Sequence, residues 1–509
     1  MVWRADDPQG NEAGKVCWDV VQYTRGQGLD LGCGAHKAFP HFTGVDNLKD
    51  VELFGAQMRP DKVVDSCERL DGFEDASQDF VFSSHLLEHI DDYAGALKEW
   101  WRVIKTGGYL ALYLPHKLYY PNVGQPGANP DHKHDFMPAD IINAMQKIGG
   151  WNLIEREERN GGNEYSFFLV FRKRDDAQQR SEIEDRKKPK RSVCVVRYGG
   201  FGDMLQAANI LPGLKRQGYH VTVMTTPSGK SVIKEDPNVD AWHLQDTDQV
   251  PNQCLTDFWS HMAKKFTKFV NLSESVEGTL LAMRGRANHA WPEAVRRARL
   301  NENYLEFTSE LAEVPYANEA RFYPTKEERG AAMARLLDDD GFNVLWALSG
   351  SSCHKFYPGQ DVVIARILVE RPNCRIFLVG DATCKILEAG WEKEPRVVCL
   401  SGEQTIRETL ALAQVVDCVI GPETGILNAV AFEQNRKVVL LSHSTVENLT
   451  KHWTNTRSIV PRRAKCYPCH RLHYTWEHCF QDEDSGASIC QAELSPDSVF
   501  DAAVAEFKQ

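Results

Sequence analysis

Residues 29–34 read Leu-Asp-Leu-Gly-Cys-Gly, the pattern of a short buried strand followed by a Gly-x-Gly turn. Glycine lets a backbone turn tightly and approach a ligand without a side-chain clash. Residues 43–46 form the next strand, and Asp46 at its end can accept hydrogen bonds from both hydroxyls of a ribose. Further strands at 80–82 and 109–114 and a helix at 94–104 continue the alternation. Such alternation predicts a parallel sheet with helices on its faces.

The same pattern repeats, on a larger scale, after residue 192. Two parallel-sheet domains in tandem predict a cleft between them, in which ligands lie at the carboxyl ends of strands. The predicted strands are 193–196, 221–225 and 268–272 in one half and 344–348, 375–379, 397–400, 418–420 and 437–441 in the other, with helices at 361–369 and 406–413.

A charged stretch separates the two patterns. Residues 172–191 carry many charges of both signs without apolar periodicity, which is typical of a linker or a solvated helix. We therefore predict four segments, which are 1–173, a linker at 174–191, and two halves at 192–335 and 336–509.

Composition limits the classes of function. The chain has 509 residues, 42% of them hydrophobic, which excludes a disordered or collagen-like protein. Its net charge of −12 argues against loose, charge-driven binding to nucleic acid or anionic lipid. No apolar run reaches the roughly 18 residues of a membrane span, and residues 1–10 lack the apolar core of a signal peptide. These features predict a cytoplasmic protein, and ten scattered cysteines are expected to be reduced core residues.

Further segments of the N-terminal part match one known family. Residues 64–65 (VD), 79–89 (DFVFSSHLLEH) and 101–110 (WRVIKTGGYL), together with the glycine turn, resemble class I S-adenosylmethionine-dependent methyltransferases. The resemblance implies a Rossmann-like methyltransferase domain with S-adenosylmethionine as cofactor. It implies that the cofactor-binding residues are Asp30, Gly32, Gly34, Asp46, Asp65 (at the adenine) and His85.

Histidines supply candidates for a base in methyl transfer, because their side chains exchange protons near neutral pH. His116 and the cluster 131–135 (DHKHD) are these candidates. The cluster could equally bind a divalent metal or be a solvated polar loop. A purely structural role is the alternative for His85 and His89, which lie one helical turn apart.

Asp203 is the candidate catalytic residue of the second pattern. In 193–215 (VCVVRYGGFGDMLQAANILPGLK) a strand and a glycine turn precede Asp203, which opens a helix. A carboxylate there suits a helix cap or a general base in a cleft. The segment resembles glycosyltransferase family 9, the heptosyltransferases, whose architecture is a GT-B pair of Rossmann-like domains. The resemblance implies that Asp203, preceded by Gly202, deprotonates an acceptor hydroxyl.

Two more segments resemble the same family. In 349–358 (SGSSCHKFYP), Lys355 matches the lysine that faces the donor diphosphate, where a cation offsets the charge of the leaving group. Residues 421–431 (GPETGILNAVA) resemble the family's acidic-Thr-Gly signature, whose helix start suits a phosphate. Glu423 replaces the usual Asp and Asn428 the usual His. The donor-binding residues implied are Gly202, Lys355, Gly380 (with Asp381), Glu423, Thr424, Gly425 and Asn428. Residues 271–275 (NLSES) resemble the acceptor segment of autotransporter heptosyltransferases.

Four cysteines cluster near the C-terminus, Cys466, Cys469, Cys479 and Cys490. Four thiolates within a short segment suit a tetrahedral structural metal, zinc by default or iron. The resemblance to autotransporter heptosyltransferases, which carry an iron-holding cysteine finger, favours iron. His470, His473 and His478 leave a mixed ligand set open. The alternative is unpaired thiols in a surface loop.

These features together predict an α/β chain, in which a class I methyltransferase domain precedes a GT-B pair with a C-terminal cysteine metal finger. The expected function is transfer of a sugar, heptose from ADP-heptose by analogy, to an acceptor hydroxyl with inversion, and methylation of the sugar or of the acceptor. The acceptor is a glycan, a protein or a modified nucleic acid. Whether the chain forms a homo-oligomer is left open. The alternative is a scaffold or binding protein that keeps both folds with one activity or none.

Overall fold

The computed structural model describes residues 11–53, 56–174, 182–183, 189–337 and 341–505. The chain divides into two units. The first unit comprises Met1–Lys190 and Leu244–Lys265, and the second comprises Arg191–His243 and Phe266–Gln509.

The first unit is built on an eight-stranded sheet with the order β10-β8-β9-β7-β6-β1-β2-β5. Every described pair in it is parallel except those of β9, which runs antiparallel to β7 and β8. A separate antiparallel pair, β3 and β4, completes the strands. Their bounds are β1 Gly28–Leu31, β2 Thr43–Asp46, β3 Glu52–Leu53, β4 Ala56–Gln57, β5 Lys62–Val63, β6 Gln78–Ser84, β7 Ile104–Pro115, β8 Trp151–Arg159, β9 Ser166–Lys173 and β10 Glu182–Ile183.

Helices cover this sheet with apolar faces. In the helix Tyr93–Val103, the Asp92 side chain accepts a hydrogen bond from Gly95 N and so caps the first turn. Its buried face carries two tryptophans, Trp100 and Trp101. The other α-helices of the unit are Cys17–Val20, Pro138–Ile148 and Leu255–Ala263, and its 3₁₀ helices are Glu12–Lys15, Val21–Tyr23, Leu87–His89 and Asn252–Cys254.

The segment Leu244–Lys265 belongs to the first unit by its contacts, although we predicted it within 192–335. Gln249 Nε2 donates to the carbonyl of Val21 at 2.7 Å. The buried Asp19 carboxylate lies 2.9 Å from His261 Nε2 and also pairs with Lys265. These contacts are between residues far apart in sequence, so reading the chain in order does not reveal them.

The second unit contains two sheets. The first has the order β13-β12-β11-β14, and β11 runs parallel to β12 and β14. The second has the order β17-β16-β15-β18-β19-β20, and all its neighbouring strands are parallel. Their bounds are β11 Ser192–Val196, β12 His220–Thr225, β13 Ala241–Leu244, β14 Lys268–Asn271, β15 Phe342–Ala347, β16 Cys374–Val379, β17 Val397–Cys399, β18 Cys418–Pro422, β19 Arg436–Leu440 and β20 Thr456–Ile459.

Helices connect these strands, as parallel strands require. The α-helices are Phe201–Ala207, Leu211–Arg216, Pro227–Ile233, Ser275–Thr279, Glu293–Arg299, Tyr304–Leu311, Lys326–Met333, Gln360–Glu370, Ile406–Val415, Gly425–Ala429, Ile489–Ala492 and Pro496–Val504. The shorter helical turns are Ala208–Ile210, Ala287–Ala290, Cys353–Lys355, Ala382–Glu388, Val446–Thr450 and Trp476–His478.

The predicted α/β architecture of parallel sheets is confirmed. Most of the predicted linker, 174–191, lies outside the described residues, and within it Glu182–Ile183 pairs with β8. In the part of the chain that the structure describes, no helix is both long and apolar enough to cross a membrane.

Candidate functional sites

The glycine turn after β1 lies against Asp46. Gly32 and Gly34 have φ of 68° and 55°, a backbone conformation that L side chains rarely adopt. Gly34 N donates to Asp46 Oδ2 at 3.0 Å, while Asn47 N donates to Oδ1 at 2.8 Å. A Cβ at Gly34 would meet nothing within 4 Å. The turn therefore leaves open space beside a fixed carboxylate, as a nucleoside would need.

The other predicted cofactor residues differ in exposure. Asp30 is buried and accepts a hydrogen bond from Ala38 N at 2.8 Å, and burial raises its pKa to about 7. Asp65 is exposed and follows β5, whose Val63 pairs with Asp46. Asp65 and Asp46 thus follow neighbouring strands at one edge of the sheet, whereas Asp30 is directed into the fold.

His85 and Glu88 form a cluster of titratable groups just after β6. His85 has a left-handed backbone with φ of 50°, and its Nε2 lies 2.9 Å from Ser166 Oγ. Its Nδ1 lies 3.6 Å from Glu88 Oε1. Burial lowers the pKa of His85 well below its usual value and raises that of Glu88 to about 8. Glu88 was not among the residues predicted from the sequence, although it lies in the segment 79–89.

The predicted base His116 is buried, and burial lowers its pKa. Leu118 N donates to its Nδ1 at 3.1 Å, whereas its buried Nε2 has no hydrogen-bond partner within the described ranges. The side chains of the predicted cluster 131–135 point to different partners in the structure. His132 is buried with Nε2 3.8 Å from Glu88 Oε1, and Asp135 accepts a hydrogen bond from Val123 N at 3.0 Å. His132 is thus brought to Glu88, and Asp135 is engaged elsewhere.

Asp203 lies in the first turn of the helix Phe201–Ala207, directly after β11. Its Oδ2 accepts from Gly200 N at 2.8 Å, and its Oδ1 pairs with Arg197 Nη2 at 2.7 Å. The buried Arg197 also pairs with Glu277 at 2.9 Å. Although burial opposes the charged form, these two acids raise the pKa of Arg197. The Asp203 side chain remains 33% exposed, so it is held in place but is still accessible.

The predicted acceptor segment 271–275 lies next to Asp203. The Leu272 carbonyl accepts a hydrogen bond from Arg197 Nη1 at 2.8 Å. A small cavity is lined by Arg197, Asp203, Gln206, Ala207, Leu272, Ser275, Val276 and Thr308. The structure thus brings the candidate base and the segment resembling an acceptor site together.

Gly202 and Gly425 lie where two helices begin close together. A Cβ at Gly425 would lie 2.9 Å from Gly202 N, and one at Gly202 would lie 2.8 Å from Asn428 Nδ2. Asn428 Oδ1 in turn accepts from Gln206 Nε2 at 3.1 Å. The helix Phe201–Ala207, which carries Asp203, and the helix Gly425–Ala429 are therefore in direct contact. The absence of a side chain at the two glycines permits this close approach.

Lys355 is a buried cation beside the acidic-Thr-Gly segment. Its Nζ donates to the carbonyl of Glu423. Burial lowers its pKa, while the charges of Glu423 and Asp203 oppose this effect. The buried Oγ1 of Thr424 has no hydrogen-bond partner in the part of the chain that the structure describes. Lys355, Glu423 and Thr424 follow β15 and β18, which are parallel neighbours, so they share one edge of the sheet.

The Glu423 carboxylate is fully engaged by groups that the sequence analysis missed. Ser442 donates to it through N at 2.8 Å and through Oγ at 2.6 Å, and His443 Nδ1 lies 3.2 Å away. Despite burial, His443 and Lys355 keep the pKa of Glu423 well below its usual value. His354 Nε2 contacts His443 Nδ1 at 3.1 Å. The position of Ser442 and His443 directly after the predicted strand 437–441 could have revealed them.

Gly380 and Asp381 form a tight turn after β16. A Cβ at Gly380 would clash with Cys384 at 2.5 Å, and Asp381 Oδ1 accepts from Thr383 N at 2.9 Å. Asp381 therefore caps the 3₁₀ helix Ala382–Glu388. The structure gives this pair a local role and leaves its predicted place at the nucleotide untested.

The predicted cysteine finger is not assembled as a four-sulfur cluster. Among the described residues, which include all four cysteines, no three of these sulfur atoms lie within 4.8 Å of one another. Cys469 Sγ instead lies 3.7 Å from His473 Nε2. The three-ligand groups found within that distance are Glu88 with His89 and His132, and His354 with Glu423 and His443. The metal finger stays a prediction.

Comparisons with known proteins match both parts of the chain. Residues 29–112 match the family described as "Methyltransferase domain", whereas no curated protein matches the chain significantly. A solved structure of a glycosyl transferase family 9 protein from Veillonella parvula is 12% identical with a TM-score of 0.45, covering 62% of this chain and 98% of its own. The E. coli ADP-heptose lps heptosyltransferase II is 14% identical with a TM-score of 0.43, covering 61% and 97%. An S-adenosylmethionine-dependent methyltransferase from Mesorhizobium loti is 15% identical with a TM-score of 0.26, covering 32% and 99%.

The chain thus matches a methyltransferase family over residues 29–112 and is similar, at low identity, to solved structures of both kinds of transferase.

Proposed function

We propose that the chain is a bifunctional transferase. Its second unit transfers a sugar from a nucleoside diphosphate donor to an acceptor hydroxyl, and its first unit transfers a methyl group from S-adenosylmethionine. The observation that carries the glycosyl transfer is the contact between the helix that bears Asp203 and the helix that follows Thr424, beside the buried Lys355.

Asp203 is the proposed base for the acceptor hydroxyl. A carboxylate has about four lone-pair sites, and within the described part of the chain Asp203 directs two of them toward Arg197 and Gly200. One remaining site can take the proton of the hydroxyl while the oxygen attacks the anomeric carbon and the diphosphate leaves. Arg197 would orient the carboxylate, and inversion follows when that attack is a single displacement.

Lys355 is the proposed partner of the leaving diphosphate. A buried ammonium near the developing negative charge stabilises it more than an exposed one, because less water screens the charge. Thr424 supports this assignment, since its buried hydroxyl lacks a partner within the described protein and can donate to a phosphate oxygen. By resemblance the sugar is a heptose and the nucleotide is ADP.

Donor turnover tests this proposal. Full-length protein is incubated with a panel of nucleotide sugars and cell extract, and products are identified by mass spectrometry.

With the donor so found, Asp203→Asn should lower kcat about 100-fold or more, the usual contribution of a general base. Asp240→Asn is the matched control, because Asp240 also pairs with a cation, Lys215, and accepts from a backbone N–H, that of Val221. Equal loss in both variants, or none in either, would reject Asp203 as the base.

The glycine turn carries the proposal for the first unit, because it leaves space beside Asp46. When bound, S-adenosylmethionine would supply an electrophilic methyl group on its sulfonium. Asp46 would accept hydrogen bonds from its ribose, and Asp65 would lie at its adenine. Residues 29–112, which match the methyltransferase family, contain the whole turn.

Calorimetry tests cofactor binding. The native chain should bind S-adenosylmethionine, and Asp46→Asn should weaken binding about 10-fold or more, because a charged acceptor of ribose hydroxyls is lost. Asp71→Asn, at an exposed acid of the same unit, should bind as the native chain does. Absence of heat with the native chain would reject the proposed cofactor.

A further inference from the structure

Glu88 is a fully buried carboxyl group without a hydrogen bond on either oxygen. Its exposed fraction is 0%, and neither Oε1 nor Oε2 has a hydrogen-bond partner among the described residues. Buried carboxylates are normally hydrogen-bonded, paired or bound to a metal. Two histidines lie close to it, His85 Nδ1 at 3.6 Å and His132 Nε2 at 3.8 Å, both beyond hydrogen-bond range.

Three potential metal-binding atoms converge at this point. One ligand atom each from Glu88, His89 and His132 lies within 4.8 Å of the other two. The second group of this kind, around Glu423, differs because Ser442 and Ser444 already donate hydrogen bonds to that carboxylate. Of these two carboxylates, only that of Glu88 has oxygens that receive no hydrogen bond from the described protein.

The backbone fixes the two segments that supply these side chains. Lys133 N donates to the Glu88 carbonyl at 2.8 Å, which holds the loop with His132 against the segment with Glu88. His89 Nδ1 lies 3.2 Å from the carbonyl of Asp131. A carbonyl only accepts, so Nδ1 carries the hydrogen and Nε2 keeps its lone pair. Metal-binding histidines commonly donate their other N–H to a backbone carbonyl in this way.

We propose that Glu88, His89 and His132 bind a divalent first-row metal ion in the first unit. One carboxylate and two imidazoles form a donor set suited to Mn²⁺, Fe²⁺ or Zn²⁺, with positions left for water or substrate. The ion neutralises the buried carboxylate. Leu86 lies against the glycine turn, with Cβ 2.9 Å from a Cβ at Gly32, so the ion site adjoins the proposed cofactor pocket.

Manganese binding tests the proposal without any methyl transfer, so its outcome is separate from that of the proposed methyltransferase function. Full-length protein is freed of metal with a chelator and titrated with Mn²⁺, and free Mn²⁺ is followed by electron paramagnetic resonance. Mn²⁺ prefers oxygen and nitrogen ligands, so the C-terminal thiols should not compete for it. The native chain should bind one more ion than Glu88→Gln, or bind it about 100-fold more tightly.

The variants separate a metal ligand from a structural role. Glu88→Gln keeps the shape of the side chain, and its melting curve shows whether the unit stays folded. His132→Ala should lose the same ion, whereas His134→Ala, in the same loop but outside the cluster, should keep it. Equal binding by native chain and Glu88→Gln, no binding by the native chain, or loss of the ion in His134→Ala would each overturn the proposal.

Discussion

Burial lowers the pKa of two lysines of the second unit, Lys355 and Lys437. Lys355 lies near the carboxylates of Glu423 and Asp203, whose charges favour the ammonium form. Lys437 is equally enclosed, with an exposed fraction of 0%, and its Nζ donates to the carbonyl of Glu433 at 2.5 Å. Burial lowers the pKa of Lys437 to about 8. Lys355 lies beside the segment proposed to bind a phosphate, whereas no ligand is proposed for Lys437, so the burial of Lys437 mainly costs stability.

Lys437→Met should stabilise the second unit at neutral pH. The unfolded lysine keeps its usual pKa of 10.5, so between about pH 8 and 10.5 the unfolded chain binds more protons than the folded one. The stability of the native chain relative to the variant therefore rises with pH through that window. Between pH 7 and 10 the advantage of the variant in unfolding free energy over the native chain should narrow by about 2–3 kcal/mol, since each pKa unit corresponds to 1.36 kcal/mol. Urea unfolding of both proteins from pH 7 to 10 measures it.

Lys393→Met, at an exposed lysine, is the matched control and should follow the native profile. Parallel stability profiles for the native chain and Lys437→Met would contradict the expectation.

Single residues were predictable where a motif fixes their type and position. Asp203, Lys355 and Thr424 each follow a strand in a segment with a recognisable pattern, and the structure places them near one another. Arg197 and Glu88 were missed because their roles depend on burial and on partners distant in sequence. Arg197 pairs with Glu277, 80 residues away. The four cysteines were recognised from their spacing in sequence alone, and the metal finger that they suggest stays a prediction.

At the scale of elements, the contact between the helices Phe201–Ala207 and Gly425–Ala429 depends on glycine at the point of approach. In Gly425→Ala the new methyl group would lie 2.9 Å from Gly202 N and 3.1 Å from Phe201 Cβ. Since a backbone atom cannot move aside cheaply, we expect a loss of about 1–3 kcal/mol in stability. Donor turnover should fall as well, because the helices that carry Asp203 and Asn428 would separate. Denaturant unfolding and the donor assay measure the two effects.

Gly330→Ala provides the comparison for this substitution. Gly330 lies within the helix Lys326–Met333, and a Cβ there would meet nothing within 4 Å. Alanine should stabilise that helix by up to about 1 kcal/mol. If Gly425→Ala were as stable and active as Gly330→Ala, the close helix contact would be irrelevant to function.

Elements were predictable where strands are buried on both faces. β11 (SVCVV) and β16 (CRIFLV) read as largely apolar runs, as parallel strands in α/β proteins do. β8 was missed because most of Trp151–Arg159 is charged, and only its first residues are buried. It lies next to the antiparallel β9, where one face of a strand can remain solvated.

At the scale of the whole molecule, the chain passes between its two units three times. It leaves the first unit after Lys190, returns to it for Leu244–Lys265, and leaves it again at Phe266. The segment begins where β13 ends and stops just before β14, so sequence order assigns it to 192–335. Its side chains instead form hydrogen bonds and ring contacts with residues of the first unit. Gly26 N donates to Asp246 Oδ2 at 2.8 Å, and the rings of Trp18 and Phe258 lie 5.8 Å apart.

A chain that ends at Lys190 should therefore be less stable than the same residues supplied with this segment. Truncation removes His261 and Lys265 from the buried Asp19, leaving it to Arg159, and uncovers Trp18. Unpairing a buried charge and exposing aromatic surface are both destabilising.

A synthetic peptide of residues 244–265 should bind the truncated chain and raise its melting temperature with increasing concentration, since it binds only the folded form. A peptide with Asp246→Asn and Gln249→Ala should act more weakly, because the hydrogen bonds to Gly26 and Val21 are weakened or lost. A truncated chain whose melting curve is unaffected by either peptide would show that the first unit is complete without the segment.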